Sequence, residues 1–510
     1  MCFLYKDENW LVVEKPSGIS THSAHGGELG LVEWLALHHD ERAYICSRLD
    51  KGTSGLLLFA RSPEMVAEAE KIHEQGQAQK SYFFLAGYHS LNKWSCEHPL
   101  DGKACKTHFE KVKEGAAYCL YKAVIHHGRR HQIRRHAAVS GIPLLGDDQY
   151  GGNSFCRVVL HCSEIVWPGI DQPLAGSLPD WFLPCLEGIT SELTGQVLAG
   201  KRYPFLTSVS DCCRLLHRGE YPGEDMAIDK YGEWLCVTGF DESLPAKELL
   251  QRLKRLLSSL SAICSVRGGV VKTNLRDPHN RKLFADLASW GEPVPESFTV
   301  KEHNLHFTVR LNDRQHAGIF LDHRDSRKRI AAIARARRVV NLFAFTCSFS
   351  VYALAAGAEV VFSVDLAAGC LKRGQENVAV NRLTGRKNAK FIKEDVRKWL
   401  ARQLRRKQKD PSTYVLFDLL ICDPPVFASA GKGNAFHVEK EWPNLAAQAS
   451  EIVHPEGVAL FSNNHQAGSE SFYYDTLCAH FSKVIRLQPA LDFAKVAGQP
   501  AHVRIYWCLK

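Results

Sequence analysis

No two of the 17 cysteines stand in a C-x-x-C pair, and the adjacent Cys212-Cys213 offer no ligand spacing for zinc. No metal centre is therefore expected. There is no signal-peptide pattern, so reduced thiols and a cytoplasmic location are expected. A membrane span is absent in a less obvious way. Val339 to Ala358 contains no charged residue and is long enough to pass a hydropathy filter. Its Asn341, Thr346, Cys347, Ser348 and Ser350 suit a lipid segment poorly. A buried strand, a turn and a buried helix account for the run better. Charge of one sign is also scarce: 64 basic against 55 acidic residues leave a net +9. That excess fits a polyanionic partner without identifying one. At 45% hydrophobic and 23% charged residues the composition is globular, and 510 residues predict two to four domains.

What is present begins with Arg48-Leu49-Asp50-Lys51-Gly52-Thr53-Ser54-Gly55, running into Leu56-Leu57-Leu58-Phe59-Ala60. The apolar run predicts a buried strand, and the octet a tight loop feeding it. Asp50 is thus a carboxylate on a loop anchored by a rigid element, where catalytic groups concentrate. By itself the octet is equally a turn with a local ion pair. Further on come Gly128-Arg129-Arg130-His131-Gln132-Ile133-Arg134, then Pro143-Leu144-Leu145-Gly146-Asp147 and Tyr150-Gly151.

These separated motifs, with Lys15-Pro16-Ser17-Gly18 before them, resemble the RluA-type family of RNA pseudouridine synthases over residues 1–185. That family carries H-R-L-D-x-x-T-S-G, G-R-T-H-Q-I-R and P-L-x-G-D-x-x-Y-G. Ser47 replaces the usual His, and Arg130 the usual Thr. The resemblance implies a mixed α+β domain with an antiparallel sheet and a central cleft, working without a cofactor. It implies Asp50 as nucleophile, Arg134 as its ion-pair partner, and Tyr82 near the base, able to assist proton transfer. Arg48, Arg129, His131 and Gln132 are the expected RNA contacts.

Gly169 to Gly200, rich in Gly, Pro and Ser, reads as the end of the first domain plus a connector, and residues 186–299 as linker and a small accessory α+β domain. Met226-Ala227-Ile228 and Trp234-Leu235-Cys236-Val237 flank a turn and predict a hairpin, and Leu249 to Leu260 a helix.

Residues 300–510 alternate strands and helices, with acids closing three strands: Asp365, Asp395 and Asp423. This is the pattern of a doubly wound α/β domain, whose ligands sit at the strands' carboxyl ends. The loop after the first strand, Asn341-Leu342-Phe343-Ala344-Phe345-Thr346-Cys347-Ser348, lacks the G-x-G-x-x-G that a pyrophosphate requires. S-adenosylmethionine, which has no phosphate, fits instead. Asp365 is expected at the ribose and Asp395 at the adenine. Asp423-Pro424-Pro425 and Phe427 are expected to line the methyl-transfer face.

The segment resembles the S-adenosylmethionine-dependent methyltransferases of large-subunit ribosomal RNA, a class I fold. Gly318-Ile319-Phe320-Leu321-Asp322-His323-Arg324 matches the group's G-x-F-L-D-H-R, and Asn341 to Thr346 its N-L-F-x-Y-T. Phe320, Asp322, Arg324, Asn341 and Thr346 are thereby implied at the cofactor. A cytosine-C5 enzyme needs a cysteine in an F-S-C-S segment after the fifth strand. Here Phe461-Ser462-Asn463-Asn464 stands in that place, which resembles the guanine-N7 branch and puts Asn463 at the transfer face. The N7 atom is nucleophilic already, so positioning suffices. Cys347 replaces the relatives' glycine, and its Cβ is expected to crowd the cofactor.

The expectation is a bifunctional enzyme acting on RNA, 23S ribosomal RNA or a large-subunit precursor. The alternatives are a cytosine-C5 methyltransferase half, or a non-catalytic RNA-binding factor with a decayed methyltransferase half.

Overall fold

The computed structural model describes residues 3–23, 29–188, 206–221, 223–276, 283–313, 316–383, 388–428, 435–493 and 502–510. Residues 189–200 of the expected connector lie outside the described residues.

The N-terminal part contains β1 (Phe3–Lys6), β2 (Trp10–Lys15), α1 (Leu31–His39), β3 (Tyr44–Ile45), β4 (Ser54–Ala60), α2 (Pro63–Glu74) and β5 (Gln79–Ala86). It continues with β6 (Lys93–Cys96), β7 (Thr107–Glu114), β8 (Cys119–Ile125), α3 (Gln132–Val139), β9 (Leu160–Val166), β10 (Leu174–Ala175) and α4 (Phe182–Leu186). The main sheet runs β1-β2-β4-β9-β5-β8-β7-β6. Every residue of β4 is buried, so the apolar run after Gly55 is the spine of this core. The sheet is not wholly antiparallel, because β4 and β9 pair in parallel at Ser54↔His161 and Gly55↔Cys162. There Gly55 has φ +108°, and a Cβ would lie 2.1 Å from the Cys162 carbonyl oxygen, so no other residue fits.

The accessory part holds β11 (Cys212–Leu216), β12 (Met226–Tyr231), β13 (Trp234–Gly239), α5 (Ala246–Arg252), α6 (Lys254–Cys264), β14 (Gly268–Arg276) and β15 (Leu283–Gly291). They form one sheet in sequence order. The β12–β13 hairpin closes at Gly232 and Glu233, with Tyr231 opposite Trp234. The single helix expected over Leu249 to Leu260 is two, because Leu253 leaves helical geometry at φ −88°, ψ 0°. Apolar periodicity is blind to this break, since Leu249, Leu253, Leu257 and Leu260 stay buried across it.

The last part begins with the hairpin β16 (Phe298–Glu302) and β17 (Leu305–Val309), then α7 (Arg324–Ile333), β18 (Arg338–Leu342), α8 (Ser348–Ala355), β19 (Val360–Asp365) and α9 (Ala368–Val380). It continues with β20 (Ala389–Lys393), α10 (Val396–Lys409), β21 (Phe417–Cys422), β22 (Phe427–Ala428), β23 (Phe436–His437) and α11 (Val438–Ile452). β24 (Val453–Asn463), α12 (Glu470–Cys478), β25 (Lys483–Leu487) and β26 (Arg504–Leu509) complete it. Its seven-stranded sheet runs β20-β19-β18-β21-β24-β26-β25, parallel through β24 and closed by an antiparallel hairpin. The uncharged run from Val339 is β18, a turn and α8. Strand order reverses between β18 and β21, which opens a crevice at their carboxyl ends. No helix among the described residues is long and apolar enough to cross a membrane.

The first and last parts meet where α1 packs on α7. His38 Nε2 lies 3.1 Å from Asp325 Oδ1, and its Nδ1 lies 2.8 Å from His303 Nε2. His303 continues to the Tyr352 hydroxyl at 2.7 Å, and Tyr352 donates to Glu302 at 2.9 Å. His38, Asp325, Glu302 and Tyr352 are buried in this seam, and His303 is half-buried.

Candidate functional site

In the N-terminal part a cavity of about 860 Å³ opens between the Asp50 loop, β5 and the segment leading into α3. Several bonds fix the loop, among them Gly18 N–H to the Lys51 carbonyl, Thr53 N–H to the Asp50 carbonyl, Thr21 Oγ1 to the Leu49 carbonyl and Ser17 Oγ to the Gly52 carbonyl. Beneath it Lys15 is fully buried, with Nζ donating to the Pro16 and Ile19 carbonyls at 3.0 and 2.8 Å. Burial pushes this amine down to about 7.

Asp50 is partly exposed at the cavity wall, with Arg134 Nη1 at 3.5 Å and His131 Nε2 at 3.8 Å. The guanidinium is shared. Its stronger partner is the wholly buried Asp147, which accepts from Nε at 2.6 Å and from Nη2 at 2.7 Å. Arg134 is thus clamped by Asp147 and presents its remaining nitrogen to Asp50. The ring of Tyr150 lies 5.0 Å from the guanidinium, and its hydroxyl is 2.9 Å from His131 Nδ1. His131 holds φ +53° immediately before α3, a conformation that bulky residues adopt only when their surroundings over-determine it. Tyr82 is buried against the cavity, and burial, first of several causes, raises its phenol well above the ordinary value. Arg48 is exposed, Arg129 half-buried, and both line the cavity. Gln132 differs from its expectation. It is buried, donating to the Lys106 carbonyl and Thr107 Oγ1 and accepting from Arg129 N–H, so it shapes the wall without presenting its amide to RNA. Ser47, in the usual histidine's place, is buried and donates to the Leu58 carbonyl.

At the carboxyl ends of the parallel sheet, the loop after β18 has three left-handed residues in alternation: Phe343, Phe345 and Cys347, at φ +57°, +47° and +61°. None is glycine, so strain is concentrated here. Asp365, at the end of β19, accepts from Phe345 N–H at 2.8 Å and Ala367 N–H at 2.7 Å. Burial raises its carboxyl in spite of those bonds. Thr346 Oγ1 donates to the Gly318 carbonyl, joining this loop to the Phe320 segment, and the rings of Phe320 and Phe345 lie 5.1 Å apart.

Asp423 is held on both sides, by Ser462 Oγ at 2.6 Å and His323 Nε2 at 3.4 Å. Pro424 beside it is buried, while Pro425 and Phe427 are exposed. Burial alone would lower His323, but Asp423 and Asp322 more than offset it, and its imidazole is raised. Asp322 Oδ2 faces His502 Nε2 at 3.4 Å. Buried polar atoms with no hydrogen-bond partner gather here: Asp322 Oδ1, His323 Nδ1 and Asn463 Nδ2. Such atoms are rare and call for a partner of complementary chemistry. Together with Asp365 and Asp423 at two strand ends and no phosphate-binding glycine loop, they fit a nucleoside cofactor without phosphate.

Several expected contacts serve the scaffold. Arg324 is fully buried, donating to both oxygens of Asp492 and to the Cys212 carbonyl, and does not reach the cleft. Asn341 bonds Ser350 at the start of α8. Asp395 caps α10 and is already engaged by the Arg397 guanidinium at 2.8 Å. Asn463 has no exposed surface. Cys347 does not protrude as expected: it is fully buried, its thiol pushed up to about 12 by burial. Its Sγ occupies space left by Gly374 in α9, where an added Cβ would lie 2.4 Å away. Sequence reasoning did not single out Lys15, Asp147, His323, Ser462 or Asp492 as site residues. Lys15, Asp147, His323 and Ser462 stood inside the motifs above, so a signal existed for these four. Among the described residues no group of three His, Cys, Asp or Glu could hold a metal ion.

Comparison with known proteins agrees with this geometry. Residues 214–502 match the family model of S-adenosylmethionine-dependent methyltransferases, and residues 9–139 that of RNA pseudouridylate synthases. The ribosomal RNA large subunit methyltransferase K/L of Magnetococcus marinus is 29% identical over 341 residues, 64% of this chain and 44% of that protein. Its namesake in Alteromonas mediterranea is 29% identical over 264 residues, 51% of this chain and 36% of that protein. The chain thus spans less than half the length of these curated relatives. A solved Streptococcus mutans protein assigned to the SAM-dependent methyltransferases superposes with a TM-score of 0.52 at 23% identity, covering 67% of this chain and 86% of that one. Another assigned methyltransferase, in complex with SAH, gives 0.53 at 21%, covering 74% and 98%. At these identities the likeness shows the fold alone.

Proposed function

The chain belongs to the S-adenosylmethionine-dependent methyltransferase family and carries an RNA pseudouridylate synthase domain ahead of it; from that premise we propose that one polypeptide isomerises uridine and methylates guanine N7 in large-subunit ribosomal RNA. The observation that carries the first half is the constellation around Asp50: an accessible carboxylate, an arginine clamped from behind, and a buried phenol on one cavity. The target uridine must leave its stack to enter, since a stacked base is out of reach. Asp50 then acts as nucleophile, at the base or at C1′ of the sugar. Arg134 orients it, and Tyr82 assists proton transfer at C5. Exposed Arg48 and half-buried Arg129 meet the RNA backbone at the mouth, and His131 flanks the carboxylate.

In the second half, S-adenosylmethionine when bound supplies an electrophilic methyl group. Asp365 and Asp322 orient the nucleoside, with Phe320 and Phe345 beside it, and Thr346 holds that wall in place. Asp423, fixed by Ser462 and His323, together with Pro425 and Phe427 presents the guanine. Its carboxylate offsets the positive charge that N7 gains on methylation. Against the cytosine-C5 alternative, the two cysteines at these strand ends, Cys347 and Cys422, are wholly buried and raised far above the range of a reactive thiolate.

The test is nucleoside mass spectrometry of ribosomal RNA from a deletion strain complemented with the wild type, Asp50→Asn or Asp423→Ala. Asp50→Asn is expected to remove one pseudouridine and spare 7-methylguanosine, and Asp423→Ala the reverse. Undiminished pseudouridine from Asp50→Asn would remove the nucleophile assignment. Loss of 5-methylcytidine in place of 7-methylguanosine would reassign the second half.

A further inference from the structure

The methyltransferase domain has a cavity of about 570 Å³ where β18 and β21 begin. It lies at the opposite end of these strands from Asp365 and Asp423. One wall is α10, which carries seven Lys and Arg and no acid in its 14 residues. Arg402, Arg406 and Lys409, at spacings of four and three, share the face that lines the cavity, and Arg338 joins them from β18. Arg402 is paired with Glu394, and Arg338 has Glu359 at 3.9 Å. Arg406 and Lys409 have no carboxylate within ion-pair distance among the described residues. The one acid in the lining, Asp410, is turned to its own loop, accepting from Ser412 Oγ and Thr413 N–H.

The same lining concentrates unmet hydrogen-bonding capacity. Arg338 Nε, Trp399 Nε1 and the Tyr414 hydroxyl are buried with no partner, and all three residues border this cavity. Leaving a buried donor unmet is costly, so three around one cavity are not incidental to a well-packed domain. Burial pushes the Tyr414 phenol up to about 12 although Arg338 and Arg406 beside it pull the other way. The site therefore combines net positive charge, unused donors and nucleotide-sized space. A lone anion would satisfy the cavity but not the cationic helix, which extends about 21 Å at 1.5 Å per residue. A chain of phosphates answers to both.

We propose that this cavity and the cationic face of α10 bind a phosphodiester segment of the substrate RNA, remote from both active sites. Arg406 and Lys409 meet successive phosphates, and Arg338 reaches one from the strand side. That the polyanion is RNA rests on the proposed function; the charge and the cavity do not depend on it.

The experiment uses the full chain and an Arg406→Ala/Lys409→Ala double variant, with a labelled single-stranded oligoribonucleotide titrated between about 50 and 200 mM salt. Both substituted side chains are partly or fully exposed and lie outside the cofactor cleft, so S-adenosylmethionine binding and the melting midpoint serve as folding controls. The expected result is a slope of log K against log salt shallower by about 1.4, from two lost phosphate contacts at about 0.7 each. An unchanged slope, with RNA still bound by both proteins, overturns the site and leaves the proposed function standing. If the wild type binds no RNA at any salt, the occupant and the proposed function fall together. If inorganic phosphate binds the wild type but not the variant while the RNA slopes coincide, the cavity takes a small anion and the RNA proposal fails.

Discussion

The carboxylate of Asp147 has no contact with solvent, and Arg134 meets both of its oxygens. Removing the guanidinium leaves a buried charge unpaired, which costs about 3–5 kcal/mol. Arg134→Ala is therefore expected to lower stability as well as pseudouridine formation. Adding Asp147→Leu should return most of the stability without the activity, as read by denaturant unfolding and nucleoside analysis on the same samples. Recovery of activity in the double variant would mean that Arg134 serves only to neutralise Asp147. A second residue-scale expectation concerns His323, whose folded value lies above its ordinary 6.5 because Asp423 and Asp322 outweigh burial. A raised histidine stabilises fully below 6.5 and loses that contribution as pH climbs through the folded value. The melting difference between wild type and His323→Gln should thus be largest below about 6.5 and shrink above the folded value. A difference that grows with pH would mean that the neutral imidazole is the stabilising form.

At the scale of elements, the loop after β18 and helix α9 are coupled through Cys347 and Gly374. Gly374→Ala would put a methyl 2.4 Å from the thiol sulfur and 2.9 Å from its Cβ. Overpacking of this kind costs about 1–3 kcal/mol. Cys347→Gly makes room, and glycine also suits φ +61° at that position. A double-mutant cycle followed by thermal unfolding should show strong positive coupling, and additive losses would mean that the two sites do not share the space. The same elements mark the limits of the sequence. The acids of β19 and β21 were legible because an apolar run ending in a carboxylate is a local pattern. The pocket for Cys347 was not, since it depends on a glycine 27 positions away across the sheet's helix layer. Asp50 and Arg134 could be paired from ordered motifs, whereas the deeper clamp at Asp147 and the buried Lys15 are set by packing, which periodicity does not report. The parallel β4–β9 contact was hidden for the same reason: strand direction is fixed by topology, and only Gly55 hinted at a close approach.

For the whole molecule, the seam between α1 and α7 joins the two catalytic parts through His38, Asp325 and His303. Buried and bonded, such a side chain contributes about 1–3 kcal/mol when its loss strands its partners. His38→Ala is expected to separate two transitions in calorimetry, with each active site retaining its own chemistry. A single transition at the wild-type midpoint would show that the seam carries no coupling.

Asp492 closes the chain on itself in a different way. Its carboxylate accepts from Arg324 and from the backbone N–H of Arg214, 278 residues earlier, in the first strand of the accessory sheet. Arg324 can reach the Cys212 carbonyl of that strand earlier, but the bond through Asp492 cannot form until residue 492 has been made. At synthesis rates of about 5–20 residues per second, the wait is on the order of tens of seconds. The N-terminal sheet has no such dependence, since all its strands precede residue 176. On the ribosome, then, the uridine-modifying half is complete while the half that carries the methyl chemistry is still being made. Timing, and not only affinity, is written into one late aspartate.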